Sequence, residues 1–286
     1  MKSKYEMIAQ IRLAEATATR DLRNRWNEVR SLLEQGLEFA RQHGDDFWEA
    51  YHLMRLGQYH VLLGDYSEGE NFLKASLNAI ERIKEQEREQ QAKWQDKEAQ
   101  QFQVKQTGPQ EYRWLEAEAW RGLAMASLGQ GQADLALIRA EKATATGSEY
   151  GEGWKERGRI TEARVLQSLG RKQEALGIIE KVLPGVRSGG WRSDEQEALH
   201  LQGLLLLEMG LPGKAEGPVR QALKMAQEME LKEEEVKCLL SLGQVLLALK
   251  RPQEAREVLQ QARRLSQERD YADHFQKAEE LLAYIR

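Results

Sequence analysis

The fold is decided by the clearest of several similar segments, LMRLGQYHVLLGDYSEG, residues 53–69. Its turn signal, Gly64-Asp65, separates two runs of helix-forming residues. Similar turn positions recur at intervals of 40, 67, 39, 40 and 40 residues, at Asn24, Gly64, Gly131, Gly170, Gly210 and Lys250. Such a period predicts stacked helical hairpins, because one hairpin cannot cover its own apolar face.

Alignment on these turn residues brings small side chains into fixed columns. Seven positions before the turn stand Thr17, Gly57, Ala124, Ala163, Gly203 and Gly243. Five positions after it stand Val29, Gly69, Ala136, Ala175, Ala215 and Ala255. Because packed helix axes lie only about 8–10 Å apart, we expect these columns to mark the places where two helices approach closely.

The pattern resembles the tetratricopeptide repeat. The segments that carry the resemblance are Leu53–Gly57 with Gly64–Gly69, Ala119-Trp120 with Gly131–Ala136, and Leu242-Gly243 with Pro252–Ala255. The familiar repeat has about 34 residues, whereas the period of 40 here is similar to that of kinesin light chains and of bacterial peptide-sensing regulators. The resemblance implies an all-α, right-handed α-solenoid of about six hairpins with a C-terminal capping helix.

The predicted organisation is a single superhelical domain over residues 1–286, with repeats at 5–44, 45–84, 111–150, 151–190, 191–230 and 231–270. Residues 271–286 would form the capping helix. A charged, Gln-rich insertion occupies residues 84–110. Three interpretations of the insertion stay open: an exposed helical extension, a partly disordered loop, or a binding arm with Trp94 and Phe102 as anchors.

Composition excludes several classes of function. The net charge of −4 and the absence of a basic stripe argue against nucleic-acid binding. The single cysteine, Cys238, excludes an internal disulfide and a multi-cysteine zinc site. No apolar window is long enough for membrane insertion. We expect a cytoplasmic protein without cofactor or metal.

No catalytic constellation is evident in the sequence. His52 and His60 share a helix face but lie about 12 Å apart along it, too far to bind one metal, so we expect His60 to be a half-buried structural residue. Cys238 fits a small buried thiol better than a nucleophile. The glycine-bearing stretches 147–153 and 188–191 lack phosphate-loop spacing and are predicted as loops between repeats. We therefore expect no enzymatic activity.

The resemblance implies that the first helix of each hairpin lines a concave groove, where a protein or peptide would bind. Helical spacing assigns to this groove Tyr51, Met54, Gln58, Arg121, Met125, Arg157, Ile160, Arg164, His200, Leu204, Lys237 and Gln244. The three arginines would either meet an acidic peptide or pair with wall carboxylates such as Glu118 and Glu162. A chaperone-tail receptor is disfavoured, because the paired asparagines of that subclass are missing.

Three functions remain open. The first is a non-catalytic adaptor or scaffold that binds a partner protein or peptide in the groove. The alternative is a regulatory sensor, in which a small peptide or metabolite changes the pitch of the superhelix. The third is self-assembly into a homo-oligomer through an open end of the stack, which the predicted capping helix argues against.

Overall fold

The computed structural model describes residues 22–95 and 112–285, and these residues are helical with no strand among them. They form two compact units: residues 30–95 and 112–161 belong to the first unit, and residues 22–29 and 162–285 belong to the second. The helices are α1 (Leu22–Gln42), α2 (Asp46–Leu62), α3 (Tyr66–Gln95), α4 (Arg113–Gly129), α5 (Ala133–Tyr150), α6 (Glu152–Ser168), α7 (Lys172–Ser188), α8 (Arg192–Glu208), α9 (Pro212–Glu228), α10 (Lys232–Ala248), α11 (Pro252–Glu268) and α12 (Ala272–Ala283). The predicted all-α class is confirmed.

The first helices of the hairpins share one register. The five helices α2, α4, α6, α8 and α10 each have 17 residues and each end two residues before a predicted turn position. The second helices α7, α9 and α11 also have 17 residues, and each begins two residues after the turn. The spacing of the turns therefore fixes where every one of these helices begins and ends.

Each turn between the two helices of a hairpin contains one residue whose backbone has a left-handed conformation, with positive φ. The φ angles of Gly64, Gly131, Gly170 and Gly210 lie between 74° and 87°, and Lys250 has a φ of 58°. Backbone hydrogen bonds close each turn: the N–H of Asp65, for example, donates to the carbonyl oxygen of His60 at 2.9 Å. This is a common way to end a helix, and it favours glycine because glycine has no Cβ atom.

One predicted turn is wrong. Asn24 lies inside α1, which begins at Leu22, and not between two helices. Asparagine carries no obligatory break, and without glycine or proline the helical run simply continues through it. The first helix predicted for this repeat, residues 5–20, lies outside the described residues, as do all of residues 1–21.

The two columns of small residues lie where the helices of a hairpin cross closely. A Cβ atom on Gly57 would lie 2.9 Å from the carbonyl oxygen of Gly69, so α2 and α3 cross with their backbones almost in contact. The alanines at the same two columns, Ala124, Ala136, Ala163, Ala175, Ala215 and Ala255, are fully buried. Each hairpin is thus held by one close crossing, and the larger apolar residues pack around it.

Two segments depart from the predicted boundaries. The stretch 147–153 is not a loop: α5 continues to Tyr150, and Gly147 lies within it against the backbone of Trp154. Helix α3 runs to Gln95, so the insertion begins as a continuation of that helix. The Nζ atom of Lys84 lies 2.7 Å from Glu116 Oε1, which ties this extension to α4. Residues 96–111, including Phe102, and the side chain of Trp94 lie outside the described part.

Helix α12 packs against α10 and α11 within the second unit. Its small residue Ala278 is fully buried, and Leu281 is also buried, whereas Tyr284 just beyond the helix is exposed. The Arg256 side chain donates from Nη2 to the carbonyl oxygen of Ile285 at 2.6 Å. These contacts fasten the last described residues to the preceding hairpin.

Candidate functional site

The first unit carries a row of aromatic side chains, which we call the aromatic strip: Trp48, Tyr51, Trp114, Trp154 and Tyr150. Neighbouring ring centroids are 5.3 Å apart for Trp48 and Tyr51 and 6.1 Å for Tyr51 and Trp114. They are 5.3 Å apart for Trp114 and Trp154 and 5.9 Å for Trp154 and Tyr150. Such edge and tilted contacts are favourable for aromatic pairs, so the strip forms one continuous surface.

The local sequence places this strip at the start of successive first helices. Asp45 caps α2, and its Oδ1 accepts a hydrogen bond from the backbone N–H of Trp48 at 3.2 Å. Tyr51 follows one helical turn later, whereas Trp114 and Trp154 stand in the first turns of α4 and α6. Tyr51 and Trp114 pack on one side against the buried core and stay partly exposed on the other. The strip therefore offers apolar, partly accessible ring surface.

A buried carboxylate lies beside the strip. Glu118 Oε2 accepts hydrogen bonds from Gln58 Nε2 at 2.7 Å and from Arg121 Nη2 at 2.9 Å. Arg157 Nη1 lies 3.5 Å from Glu118 Oε1, and the same guanidinium stacks 4.9 Å from the centre of the Trp154 ring. Residues from α2, α4 and α6 thus meet at one carboxylate, and we call this group the Glu118 cluster.

The electrostatics of this cluster follow from its charges. Burial alone would raise the pKa of Glu118, but Arg121 and Arg157, together with the Gln58 amide, hold it at about 2. Arg55 holds the other end of the Gln58 amide: its Nη1 donates to Gln58 Oε1 at 3.1 Å, and its Nη2 donates to Tyr59 Oη at 2.6 Å. Gln58 is therefore oriented with its amide nitrogen towards Glu118.

The predicted groove residues separate into two sets. Met54 and Ile160 are only 1% exposed, and Gln58 and His200 are 9% exposed, so these four side chains belong to the interior. Their assignment to an accessible wall is corrected accordingly: the helical period gives the direction of a side chain but not its depth. The partly exposed set comprises Tyr51, Arg121, Met125, Arg157, Arg164, Leu204, Lys237 and Gln244. Of these, the structure brings Arg121 and Arg157 together at Glu118, near Tyr51.

The second unit carries a different arrangement at corresponding positions. Arg164 Nη2 lies 2.9 Å from Glu197 Oε1, and Lys237 Nζ lies 3.0 Å from Glu233 Oε1. His200 Nε2 forms a hydrogen bond of 2.8 Å with Ser241 Oγ. Burial, reinforced by the positive charges of Arg164 and Lys237, lowers the pKa of His200 to about 3. The contacts described here in the second unit are therefore ion pairs and a hydrogen bond of a neutral histidine.

The Cys238 thiol and the grouping of His, Cys, Asp and Glu side chains bear on catalysis and metal binding. Burial raises the pKa of the Cys238 thiol to about 12, so this buried sulfur is a poor nucleophile. Within residues 22–95 and 112–285, no three His, Cys, Asp or Glu side chains are grouped to hold a metal ion. His60, expected from the sequence to be half-buried, is buried, and its Nδ1 lies 3.1 Å from Asp65 Oδ2. In that part of the chain, no helix is apolar and long enough to span a bilayer.

The sequence prediction included only Tyr51 from the aromatic strip and missed Trp48, Trp114, Trp154 and Tyr150. Trp48 and Trp154 stand 16 residues before their turn glycines, but Trp114 stands 17 before Gly131. Strict column alignment therefore separates residues that lie side by side in the fold. A search for aromatic residues within the first turn of each first helix would have found three of the four.

Comparisons with known proteins agree with this architecture. Residues 236–269 match the family model of the tetratricopeptide repeat. A comparison with curated protein sequences finds no match. Among solved structures, a Rap protein complexed with competence and sporulation factor aligns with a TM-score of 0.67 at 14% identity, over 99% of this chain and 72% of that one.

Two further structures have similar scores. The Rap conjugation gene regulator of plasmid pLS20, in complex with the Phr* peptide, has a TM-score of 0.63 at 14% identity and 84% coverage of this chain. A signal transduction ATPase with a tetratricopeptide repeat sensor from Pyrococcus horikoshii has a TM-score of 0.63 at 15% identity and 98% coverage. The present chain spans 59% of the former and 38% of the latter. The chain is therefore a helical-repeat protein with the tetratricopeptide fold, in which residues 236–269 form a tetratricopeptide repeat.

Proposed function

We propose that this protein is a non-catalytic adaptor that binds a peptide or an exposed segment of a partner protein on the aromatic strip. The observation that carries the proposal is the continuity of the strip across α2, α4 and α6, with ring centroids 5.3–6.1 Å apart. Aromatic side chains bury much area with little loss of conformational freedom, and they are enriched among the residues that dominate binding energy.

The flanking side chains suit a peptide ligand. Arg121 and Arg157 are about one-third exposed, at 30% and 35% of their side-chain surface, and Met125 is partly exposed. Guanidinium groups donate to main-chain carbonyl and carboxylate oxygens, and methionine adapts to varied apolar partners. The role requires no cofactor, and we place the protein in the cytoplasm because its thiol content and its charge fit that compartment.

A regulatory sensor is the second candidate. It is favoured by the similarity to two Rap proteins solved with bound factors or peptides and to an ATPase whose repeat domain is described as a sensor. In a sensor the ligand must bind two arrangements of the repeats with different affinity. Small-angle scattering with and without a bound peptide would discriminate: an unchanged radius of gyration favours the adaptor, whereas a change favours the sensor.

The test of the proposed site begins with peptides selected from a random display library by the wild-type protein. Their affinities are then measured by calorimetry for two variants on one helix, Trp114→Ala and Trp120→Ala. Trp120 is the matched control, because it lies outside the strip, beneath the Lys142 ammonium at 4.5 Å.

We expect Trp114→Ala to weaken binding about 30-fold, the loss typical of a central hot spot, and Trp120→Ala to change it less than about threefold. Circular dichroism establishes that both variants keep their helices. Equal losses in the two variants, or no loss in Trp114→Ala, would contradict a site on the strip.

A further inference from the structure

We propose that Gln58, Arg121 and Arg157 form a carboxylate receptor, that Glu118 fills it as an internal ligand, and that a carboxylate of the bound partner can take its place. Only the last part, the source of the incoming carboxylate, rests on the proposed function. The receptor itself can be tested without a partner.

The geometry is that of a binding site and not of a single ion pair. Donors reach the Glu118 carboxylate from three successive first helices: the Gln58 amide at 2.7 Å, the Arg121 guanidinium at 2.9 Å and the Arg157 guanidinium at 3.5 Å. Both oxygens are served, Oε2 by Gln58 and Arg121 and Oε1 by Arg121 and Arg157. Planar guanidinium groups are suited to such shared recognition of a carboxylate.

Two of the three donors, Gln58 and Arg157, are held in place by residues other than Glu118. Arg55 fixes the Gln58 amide through its oxygen, and the Trp154 ring supports Arg157 at 4.9 Å. Both arginine side chains of the receptor keep about a third of their surface exposed, whereas the Glu118 side chain is 7% exposed. A carboxylate from outside can therefore approach the two guanidinium groups that Glu118 contacts from within, while Gln58, at 9% exposed, lies deeper in the site.

Exchange of one carboxylate for another leaves the charge at the receptor unchanged. The incoming group accepts the hydrogen bonds that Glu118 releases, so no arginine is left buried without an acceptor. The released Glu118 side chain has a long, flexible stem that can turn towards water. Glu118 would thereby make binding selective: a peptide without a carboxylate cannot displace Glu118 from the receptor, whereas an acidic peptide can compete with it.

The test uses the full chain with Glu118→Ala, which empties the receptor, and acetate as the probe. Melting temperatures are measured at pH 7 in increasing sodium acetate against sodium chloride of equal ionic strength. The matched control is Glu197→Ala, because Glu197 also pairs with an arginine, Arg164, but its side chain is 35% exposed.

For Glu118→Ala we expect Tm to rise with the logarithm of the acetate concentration above the dissociation constant, by about 4 °C at ten times that constant. The wild type and Glu197→Ala should not respond. Glu118→Gln should not respond either, because the amide side chain still fills the receptor. If Glu118→Ala is unfolded in chloride, acetate should restore its helical circular dichroism.

Absence of an acetate effect on both stability and refolding would overturn the proposal, as would equal stabilisation of all the variants. The result is separable from the test of the aromatic strip. If acetate stabilises Glu118→Ala but Trp114→Ala binds peptide normally, the carboxylate receptor is supported and the site on the aromatic strip is refuted. If acetate has no effect but Trp114→Ala weakens peptide binding, the site on the strip is supported and the receptor is refuted.

Discussion

The two units share one helix register but differ in chemistry at the start of their first helices. In the first unit these positions hold Trp48, Trp114 and Trp154, whereas in the second they hold Asp194 and Glu234. The small residues that join each hairpin are the same in kind in both units. The crossing columns are therefore shared by the two units, while the residues at the start of the first helix differ between them.

The units also differ inside. In the first unit Arg139 is buried, where it donates to the Leu123 carbonyl oxygen at 3.3 Å and to Glu70 Oε1 at 2.6 Å. The position eight residues after the turn holds apolar residues in the second unit, Ile178, Pro218 and Val258. At the position of Arg139, the first unit therefore has a polar network where the second unit has apolar side chains.

The largest effect is expected for Arg139→Ile. It leaves Glu70 largely buried without its main partner, which should lower the free energy of unfolding by about 3 kcal/mol. The double variant Glu70→Leu/Arg139→Ile imitates the second unit and should recover most of that loss, because no charge remains to be buried. Denaturant unfolding measures both. A double variant as unstable as the single one would show that the network is not replaceable by apolar packing.

The next effect compares two close crossings. A Cβ atom on Gly158 would lie 2.6 Å from the Thr144 Cα atom, whereas the three atoms nearest to one on Gly243 would all belong to the Leu259 side chain, the first at 2.5 Å. Backbone cannot yield as a side chain can, so Gly158→Ala should cost about 2 kcal/mol. Gly243→Ala should cost less than about 1 kcal/mol, since Leu259 can change rotamer and alanine favours helix. Similar thermal shifts for the two variants would refute this distinction.

Sequence alone predicts the hairpins well because their determinants are local. A glycine with positive φ and two small columns leave a periodic signal, and the helices follow from it. The predicted turn at Asn24 is wrong for a related reason. It rests on spacing alone, because Asn24 is not the glycine that forms most of the other turns. Gly147 was misread as a loop residue, although its small size serves the close contact with the Trp154 backbone.

The candidate site was less predictable, because it depends on depth and on contacts between repeats. Met54 points to the same side as Tyr51, yet it lies in the core with Leu115 and Ala119. The pairing of Arg121 with Glu118 was foreseen as one of two alternatives, since the two residues lie one helical turn apart. The contribution of Gln58, 60 residues away in sequence, could come only from the packing of one hairpin on the next.

A third comparison concerns pH. Burial lowers the pKa of His200 in the second unit to about 3, and that of His52 in the first unit to about 4, where Asp45 opposes the shift. The unfolded chain takes up these protons near pH 6.5. The contribution of these two neutral histidines to the free energy of unfolding is therefore fully present above about pH 6.5. It is lost as the pH falls from about 6.5 towards the pKa of each histidine in the folded protein.

His200→Leu should reduce the slope of unfolding free energy against pH by up to about 1.4 kcal/mol per pH unit between pH 6 and 4. His52→Leu should act in the same direction over a narrower range. Urea unfolding at several pH values measures the slopes. An unchanged slope for His200→Leu would mean that its imidazole takes up a proton over the same pH range in the folded protein as in the unfolded chain.

The smallest effect concerns turns that lack glycine. Among the described residues, the three non-glycine residues with left-handed φ are Glu230, Lys250 and Asp270, all in the second unit. A side chain in this conformation costs about 1 kcal/mol relative to glycine, part of which is offset by the greater freedom of glycine in the unfolded chain. Lys250→Gly should therefore raise the free energy of unfolding by about 0.5–1 kcal/mol.

The reverse change at the equivalent turn, Gly210→Lys, serves as the control and should lower stability by a similar amount. Because Lys250 is exposed and its backbone N–H donates to the Leu247 carbonyl oxygen at 3.0 Å, the side chain itself contributes little to the turn. Thermal unfolding of both variants measures the difference. If Lys250→Gly is neutral while Gly210→Lys is destabilising, the turn at 250 has relaxed around its lysine, and the second unit is less strained than its φ angles indicate.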